Sequence, residues 1–525
     1  MTAYAKKLLL VSMVLFVLLS LPSVGSAEAS SVMWSRTYGG PGNERAHSLV
    51  ETSDGGFAIV GQTTSFGASK ISIWLIKVDA SGNMEWQQTY GGKGLELVSS
   101  LIATPDGGYA IAGTTESFGD NFDFWLIKTD ELGNVEWSKT YLFGEACALV
   151  ATSDGGYAIA GYTSPFKREL SDFALVKTDA YGNMEWSKTY GGADNDAARA
   201  LVTTSDGGYA LAGETRSFGA GESDFWLVKT DAFGNMEWNQ TYGGIDRDRA
   251  SSLVETSDGG YAVAGWTGIA GDFYLVKTDA SGNMEWQQTY GGGWGEQASS
   301  LVETFDGGFA MAGYTSSFGA INTDFWLVKT DKFGNMEWNQ MYGGIFWDEA
   351  KALVETSDGG FAIAGAINSW TPGIDSEFWL VRTEACVNTY EFDFDSGYST
   401  YTVSVSSNST IEDFNFDIHQ NRMIFSVSGP TGTTGFCKVI IPEGLLVGDF
   451  PVYLNGTLLI EGADYTRTYN GTHNIVYITY DHSSHIIEIR GTFVIPEYSS
   501  WLLPTTLLVG ILVIVICKKK LLNHP

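Results

Sequence analysis

Histidine is nearly missing from this chain. There are six in 525 residues, and His47 alone precedes residue 400. The long N-terminal region therefore holds no Ser-His-Asp or Cys-His set and no histidine-based metal cluster. It also lacks a Gly-x-Gly-x-x-Gly phosphate cradle. Basic residues are scarce, with 30 Lys and Arg against 61 Asp and Glu, for a net charge of −31. That balance argues against a nucleic-acid partner, which needs clustered Lys and Arg along the phosphate backbone. Cysteine is sparse as well: Cys147, Cys386, Cys437 and Cys517. Only Cys386 and Cys437 fall in, or at the edge of, one candidate domain, which makes them the candidate disulfide if the compartment is oxidising.

What the chain has in abundance is repetition. A Ser/Pro/Phe-Asp-Gly-Gly-Phe/Tyr-Ala segment recurs seven times, with its aspartates at 54, 106, 154, 206, 258, 306 and 358, so every gap is either 52 or 48 residues. A period near 40–50 residues, rich in short strands and glycine turns, marks a β-propeller. Within the unit that opens at Ala200, a short strand meets the turn Ser205-Asp206-Gly207-Gly208. The strand Tyr209–Glu214, a variable loop and the strand Phe225–Thr230 follow. The turn Asp231-Ala232-Phe233-Gly234-Asn235 then leads to a fourth strand, Met236–Tyr242. Alternating β-formers bounded by Gly, Asp and Asn predict an antiparallel four-stranded blade.

The fourth-strand tryptophan occurs at 34, 86, 137, 186, 238, 286 and 338. Trp34 comes before the first Asp-Gly-Gly turn, and nothing like it follows Phe378–Arg382. The expected closure lets residues 32–38 complete the last blade, removing the open edges of an array. The Asp-Gly-Gly and Asp-x-x-Gly-Asn turns fall on one face and hardly vary. The irregular connections, which carry Trp294, Phe346, Trp347 and Trp370, fall on the other, the expected ligand face.

Five residues before the Leu that opens each blade stands an acid in six of seven repeats: Glu44, Glu96, Asp196, Asp248, Glu296 and Asp348, with Gly144 and Glu145 in the third. Two readings stay open. They form a carboxylate ring at a channel, able to bind Ca²⁺ or a basic or polyhydroxylated ligand, or each accepts N–H groups of the adjacent Gly-Gly turn. The candidate ligand-binding set is these six with Trp294 and Trp347. No catalytic residue and no cofactor is evident. A pair of acids suffices for glycoside hydrolysis, but nothing marks one pair.

Residues 387–492 alternate as β-strands without the repeat, which predicts a small β-sandwich. Residues 1–29 read as a secretory signal, with Lys6 and Lys7 ahead of an apolar run. After a linker at 493–500, residues 501–517 read as one C-terminal transmembrane helix, and the basic tail 518–525 places that side in the cytoplasm. The propeller at 32–385 would then lie outside the cell. Sequons at Asn239, Asn408, Asn455 and Asn470 fit export. The fold expected is all-β: a seven-bladed β-propeller, a β-sandwich and one membrane helix.

The segments Ser-Asp-Gly-Gly-Tyr-Ala-Ile-Ala-Gly, Asp-Phe-Trp-Leu-Val-Lys-Thr-Asp and Gly-Asn-Met-Glu-Trp resemble those of archaeal secreted repeat proteins that form propellers. The stretch Ser428–Cys437 and the tail Ile495-Pro496-Glu497-Tyr498 resemble the C-terminal anchor module of archaeal surface proteins. There a Pro-Glu-Phe sorting motif is cut by an archaeosortase; Tyr498 stands here in place of Phe. The resemblance implies surface display and no defined activity. Rigid blades that carry freely varying loops point to a binding or adhesion protein for an extracellular glycan or protein, held at the cell membrane. The alternatives are an extracellular carbohydrate-active enzyme and a cation-binding structural component of a surface layer.

Overall fold

The computed structural model describes residues 32–491, apart from short internal stretches of which 369–375 is the longest, together with Ser23 and Val24. The expected linker, membrane span and tail lie outside the described residues, as does the expected export signal except for Ser23 and Val24. Among the described residues no helix is long and apolar enough to cross a membrane. The chain divides into two compact units, one spanning Ser26–Val387 and the other built from Asn388 onward with Ser23–Val24.

The first unit is all-β and propeller-like in its sheets. Each repeat folds as a four-stranded antiparallel meander, as in Asp196–Thr203, Tyr209–Thr215, Asp224–Thr230 and Met236–Tyr242. The second and third repeats run together. Their shared strand Val135–Ala151 is outermost in one meander and innermost in the next, so they form a single seven-stranded sheet. The reason is local. This repeat has Leu142-Phe143 where the others have Gly-Gly, and the chain stays extended where elsewhere it breaks.

The N-terminal strand Val32–Tyr38 pairs antiparallel with Glu377–Thr383, Trp34 lying opposite Arg382, and completes the last meander. First strands of successive meanders lie side by side, and Glu349–Glu355 of the last lies beside Glu44–Glu51 of the first. The junction between last and first is packed like the others, with Ala362, Phe378 and Leu380 against Ala46, Phe57 and Trp74. Ser357 also donates from its N–H and hydroxyl to Glu51, 306 residues away in sequence.

Three repeated devices hold the meanders and their junctions. Each fourth-strand Trp meets an aromatic of the next meander edge-on, from Trp34 on Phe57 at 6.2 Å to Trp338 on Phe361 at 6.0 Å. Six of the fourth-strand tyrosines, Tyr38 to Tyr290, reach the next turn, as where the Tyr190 hydroxyl donates to the Gly234 carbonyl at 2.7 Å. Gly234 itself must be glycine: its φ is +73°, and a Cβ there would lie 2.7 Å from the Trp186 ring. The third device is an ion triad within each meander. Lys229, almost wholly buried, donates to Asp206 of the Asp-Gly-Gly turn at 2.7 Å and to Glu237 of Met-Glu-Trp at 2.8 Å. In the last meander Met33 replaces that glutamate, and the cation is Arg382, whose Nη2 contacts both oxygens of Asp358. A guanidinium can satisfy one carboxylate twice where an ammonium takes two.

In the second unit, Asn388–Asp395, Thr400–Ser407, Thr434–Pro442, His473–Asp481 and Tyr465–Tyr469 form one sheet, with Ser23–Val24 added at its edge. Thr410–Asp417, Arg422–Ser428, His485–Arg490, Val452–Leu454 and Thr457–Leu458 form another. The two share a core of Val405, Phe425, Val439, Ile478 and Ile487. Cys437 sits in that core as a fully buried free thiol, and Cys386 lies outside the described residues.

Candidate functional site

The structure sends the acids of the proposed ring inward. Glu44, Glu96, Asp196, Asp248 and Glu296 are 0% exposed and Asp348 is 1%. Each accepts an N–H from the second Gly of the preceding Gly-Gly pair: Gly40 at 2.9 Å, Gly92 at 3.1 Å, Gly192 at 3.0 Å, Gly244 at 2.8 Å, Gly292 at 3.1 Å and Gly344 at 2.9 Å. Thr63 and Thr315 hydroxyls donate to the other oxygen of Glu44 and Glu296, each at 3.0 Å. Hydroxyls of Thr215 and Thr267 do the same for Asp196 and Asp248. The ligand-facing ring is thereby corrected. These carboxylates act as latches that fix each connection, because buried charge is stable only with its hydrogen bonds made. Among the described residues no group of three or more His, Cys, Asp or Glu is placed to hold a metal ion.

Beside these latches stand acids at the start of the third strands, which the sequence reading passed over. Asp272 stands beside Glu296, and its carboxyl is raised above the ordinary value by burial and then by that neighbour's charge. Asp224, facing Asp248, and Asp172, facing Asp196, are raised by burial and by the same like-charge contact. The aspartates of the Asp-x-x-Gly-Asn turns bind no one but their own loop. Asp231 accepts from the N–H groups of Phe233 at 2.9 Å and Asn235 at 2.8 Å, an Asx-type turn.

The first strands present a different set. Each carries a bulge, and its extra residue is His47, Ser99, Cys147, Arg199, Ser251, Ser299 or Lys351. Positions that hold the repeat, such as Ala198 and Leu201, are buried in the core. Arg45, Glu145, Arg249, Gln297 and Glu349 stand at one alternate position and vary freely. Strand alternation puts such residues on the face turned away from the core. That variation, set inside an otherwise constant strand, is the signal that could have found them.

Two polar clusters result. In one, Arg199 pairs with Glu214 at 3.3 Å and lies 5.0 Å over the Tyr162 ring, while Arg249 approaches the same Glu214 at 3.6 Å. In the other, Arg45, Gln297, Tyr314, Trp347, Glu349 and Asn368 line a depression of about 470 Å³. That volume suits a small ligand. Trp347 is 63% exposed, so most of its ring is open to solvent at the depression. Glu349 is paired with Lys351. His47, close by, is held near 4 by burial and by the charges of Lys351 and Arg45, and is neutral at pH 7.

Of the two candidate tryptophans, Trp347 lies in this depression. Trp294 lies on the preceding connection, 72% exposed, its backbone N–H donating to the Ser317 hydroxyl, and its neighbour Gly295 reaches the depression. Trp370 lies outside the described residues. Of the sequons, Asn408 and Asn470 are outside them too. Asn239 is exposed, with its side-chain oxygen accepting from Trp226 at 3.0 Å. Asn455 contacts His485 at 2.8 Å at the tip of its turn.

No family model matches the chain, and no curated protein matches it. Among solved structures it is similar to Sqt1 from Chaetomium thermophilum, at 10% identity and TM-score 0.44, over 68% of this chain and 99% of that one. It is similar to puromycin hydrolase at 12% identity and TM-score 0.41, over 69% of this chain and 58% of that one. The extracellular domains 1-2 of Drosophila Semaphorin 1b align at 6% identity and TM-score 0.39, over 68% and 87%. At such values the likeness concerns the type of fold alone and says nothing of ligand or activity.

Proposed function

We propose that this chain is a cell-surface binding or adhesion module in which seven blades close into a ring and present their irregular face to an extracellular glycan. Export by residues 1–29 and anchoring by residues 501–517 belong to the same reading. The observation that carries it is the depression at Trp347: an exposed indole beside amide, hydroxyl and charged groups, on the face whose connections vary. Sugars are held by that combination, an aromatic plane under the ring and planar polar groups at its hydroxyls. The acids that could have served catalysis are buried and engaged in the fold, which favours binding over hydrolysis.

The test is retention of the full-length protein on a glycan array. Trp347→Ala is expected to cost about 2 kcal/mol, the loss typical of a central aromatic anchor. That corresponds to roughly a thirtyfold rise in Kd. Trp294→Ala should matter only for a ligand longer than the depression. Retention that survives Trp347→Ala unchanged, or no retention on any glycan, contradicts the proposal.

A further inference from the structure

The cations facing away from the core differ in one respect. Arg199 and Arg249 share Glu214, and Lys351 has Glu349. The Arg45 side chain makes no hydrogen bond or ion pair among the described residues, yet it lines the same depression as Trp347. With Glu349 neutralised by Lys351, the depression keeps one uncompensated positive charge in a protein of net charge −31. A guanidinium is a planar fork whose geometry matches a carboxylate. The remaining lining groups used here, Gln297, Tyr314 and Asn368, are neutral and suited to hydroxyls.

We infer that the depression takes a uronic-acid saccharide, its ring on Trp347, its hydroxyls on Gln297 and Asn368, and its carboxylate on Arg45. This rests on the glycan reading above and narrows it. The low titration of His47, caused by burial and then by Lys351 and Arg45, agrees with a locally positive site.

The test compares immobilised polygalacturonate with its methyl ester, which keeps ring and linkage and caps the charge. The full-length protein is expected to bind the acid form roughly ten- to hundredfold tighter, the worth of a hydrogen bond to a charged group. Arg45→Gln should erase that difference by weakening the acid form far more than the ester, and Arg45→Lys should restore part of it. Arg45 is exposed, so unchanged melting of both variants is expected and is to be measured alongside. Equal affinity for acid and ester overturns the inference, and so does a preference untouched by Arg45→Gln. Tighter binding to dextran sulfate overturns it in favour of sulfate esters. If acid and ester bind equally and Trp347→Ala weakens both, the glycan reading stands and only the uronate inference falls. If neither is retained, the uronate inference falls, and the glycan reading falls with it only when the array retains the protein on no glycan.

Discussion

Deleting Val32–Tyr38 is expected to abolish cooperative folding of the Ser26–Val387 unit. The segment is short, but it is the outer strand of the meander formed by the last repeat, and six of its residues pair with Glu377–Thr383. Without it, that strand exposes a row of unpaired N–H and C=O groups, a template for aggregation. Tyr38, 7% exposed, donates to the Gly82 carbonyl at 2.8 Å, and Trp34 covers Phe57 of the first meander. Lost ladder bonds and lost apolar burial together amount to roughly 5 kcal/mol or more. A typical domain has only about 5–15 kcal/mol in total. Calorimetry of the variant should show a broad, low transition or soluble aggregate. A variant that melts like the parent would mean that the strand is an ornament.

The second large effect lies in the ion triads. Lys329 is 3% exposed and holds Asp306 at 2.8 Å and Glu337 at 2.9 Å, each carboxylate only 33% exposed. Lys329→Met leaves both acids, and the Thr330 carbonyl that the ammonium also bonds, without their donor. Removing one member of an enclosed pair costs about 3 kcal/mol or more. The same change at Lys77, whose partners are 56% and 45% exposed, should cost distinctly less because water screens the stranded charges. Urea unfolding of the two variants measures the difference, and equal losses would refute the dependence on enclosure.

Acid should attack the same triads. Hydrogen bonds from Lys177 and Thr152 hold the Asp154 carboxyl at about 2. A carboxyl lowered on folding adds stability above its unfolded value near 4, and that stability is lost as pH falls from about 4 towards 2. The buried pairs act in the opposite sense. Asp172, Asp224 and Asp272 are raised on folding, so their contribution is whole below pH 4 and declines as pH rises through their folded values. Stability should therefore fall at both ends of the range.

The architecture was legible because repetition averages out the ambiguity of any one strand. A single Tyr-Ala-Leu-Ala-Gly run says little, but the same run at a fixed spacing, between the same two turns, says meander. The surplus of one fourth strand at Trp34 assigned it to the last repeat, and Val32–Tyr38 lies there. What escaped reading was whatever depends on side-chain direction across a junction. Glu44 and its counterparts precede an inner strand, and sequence alone cannot say whether their carboxylates turn to a channel or back to Gly-Gly. Geometry decides, and they turn back. The Lys-Asp-Glu triad left a trace, since all three residues recur together, but in the triad of Lys229 its members sit 23 and 8 positions apart and meet only through the sheet. Arg45 left a fainter one, variation at one position of an otherwise constant strand, and it stands out from that set only once the ion pairs of its neighbours are known.

The central claim is a ring completed by its own N-terminal strand, and hydrogen exchange of the native protein tests it most directly. Amides of Val32–Tyr38 and of Glu377–Thr383 should be protected to the same degree as those of Met236–Tyr242, an outer strand with its partner adjacent in sequence. Exchange of Val32–Tyr38 at open-chain rates, with Met236–Tyr242 still protected, would contradict it.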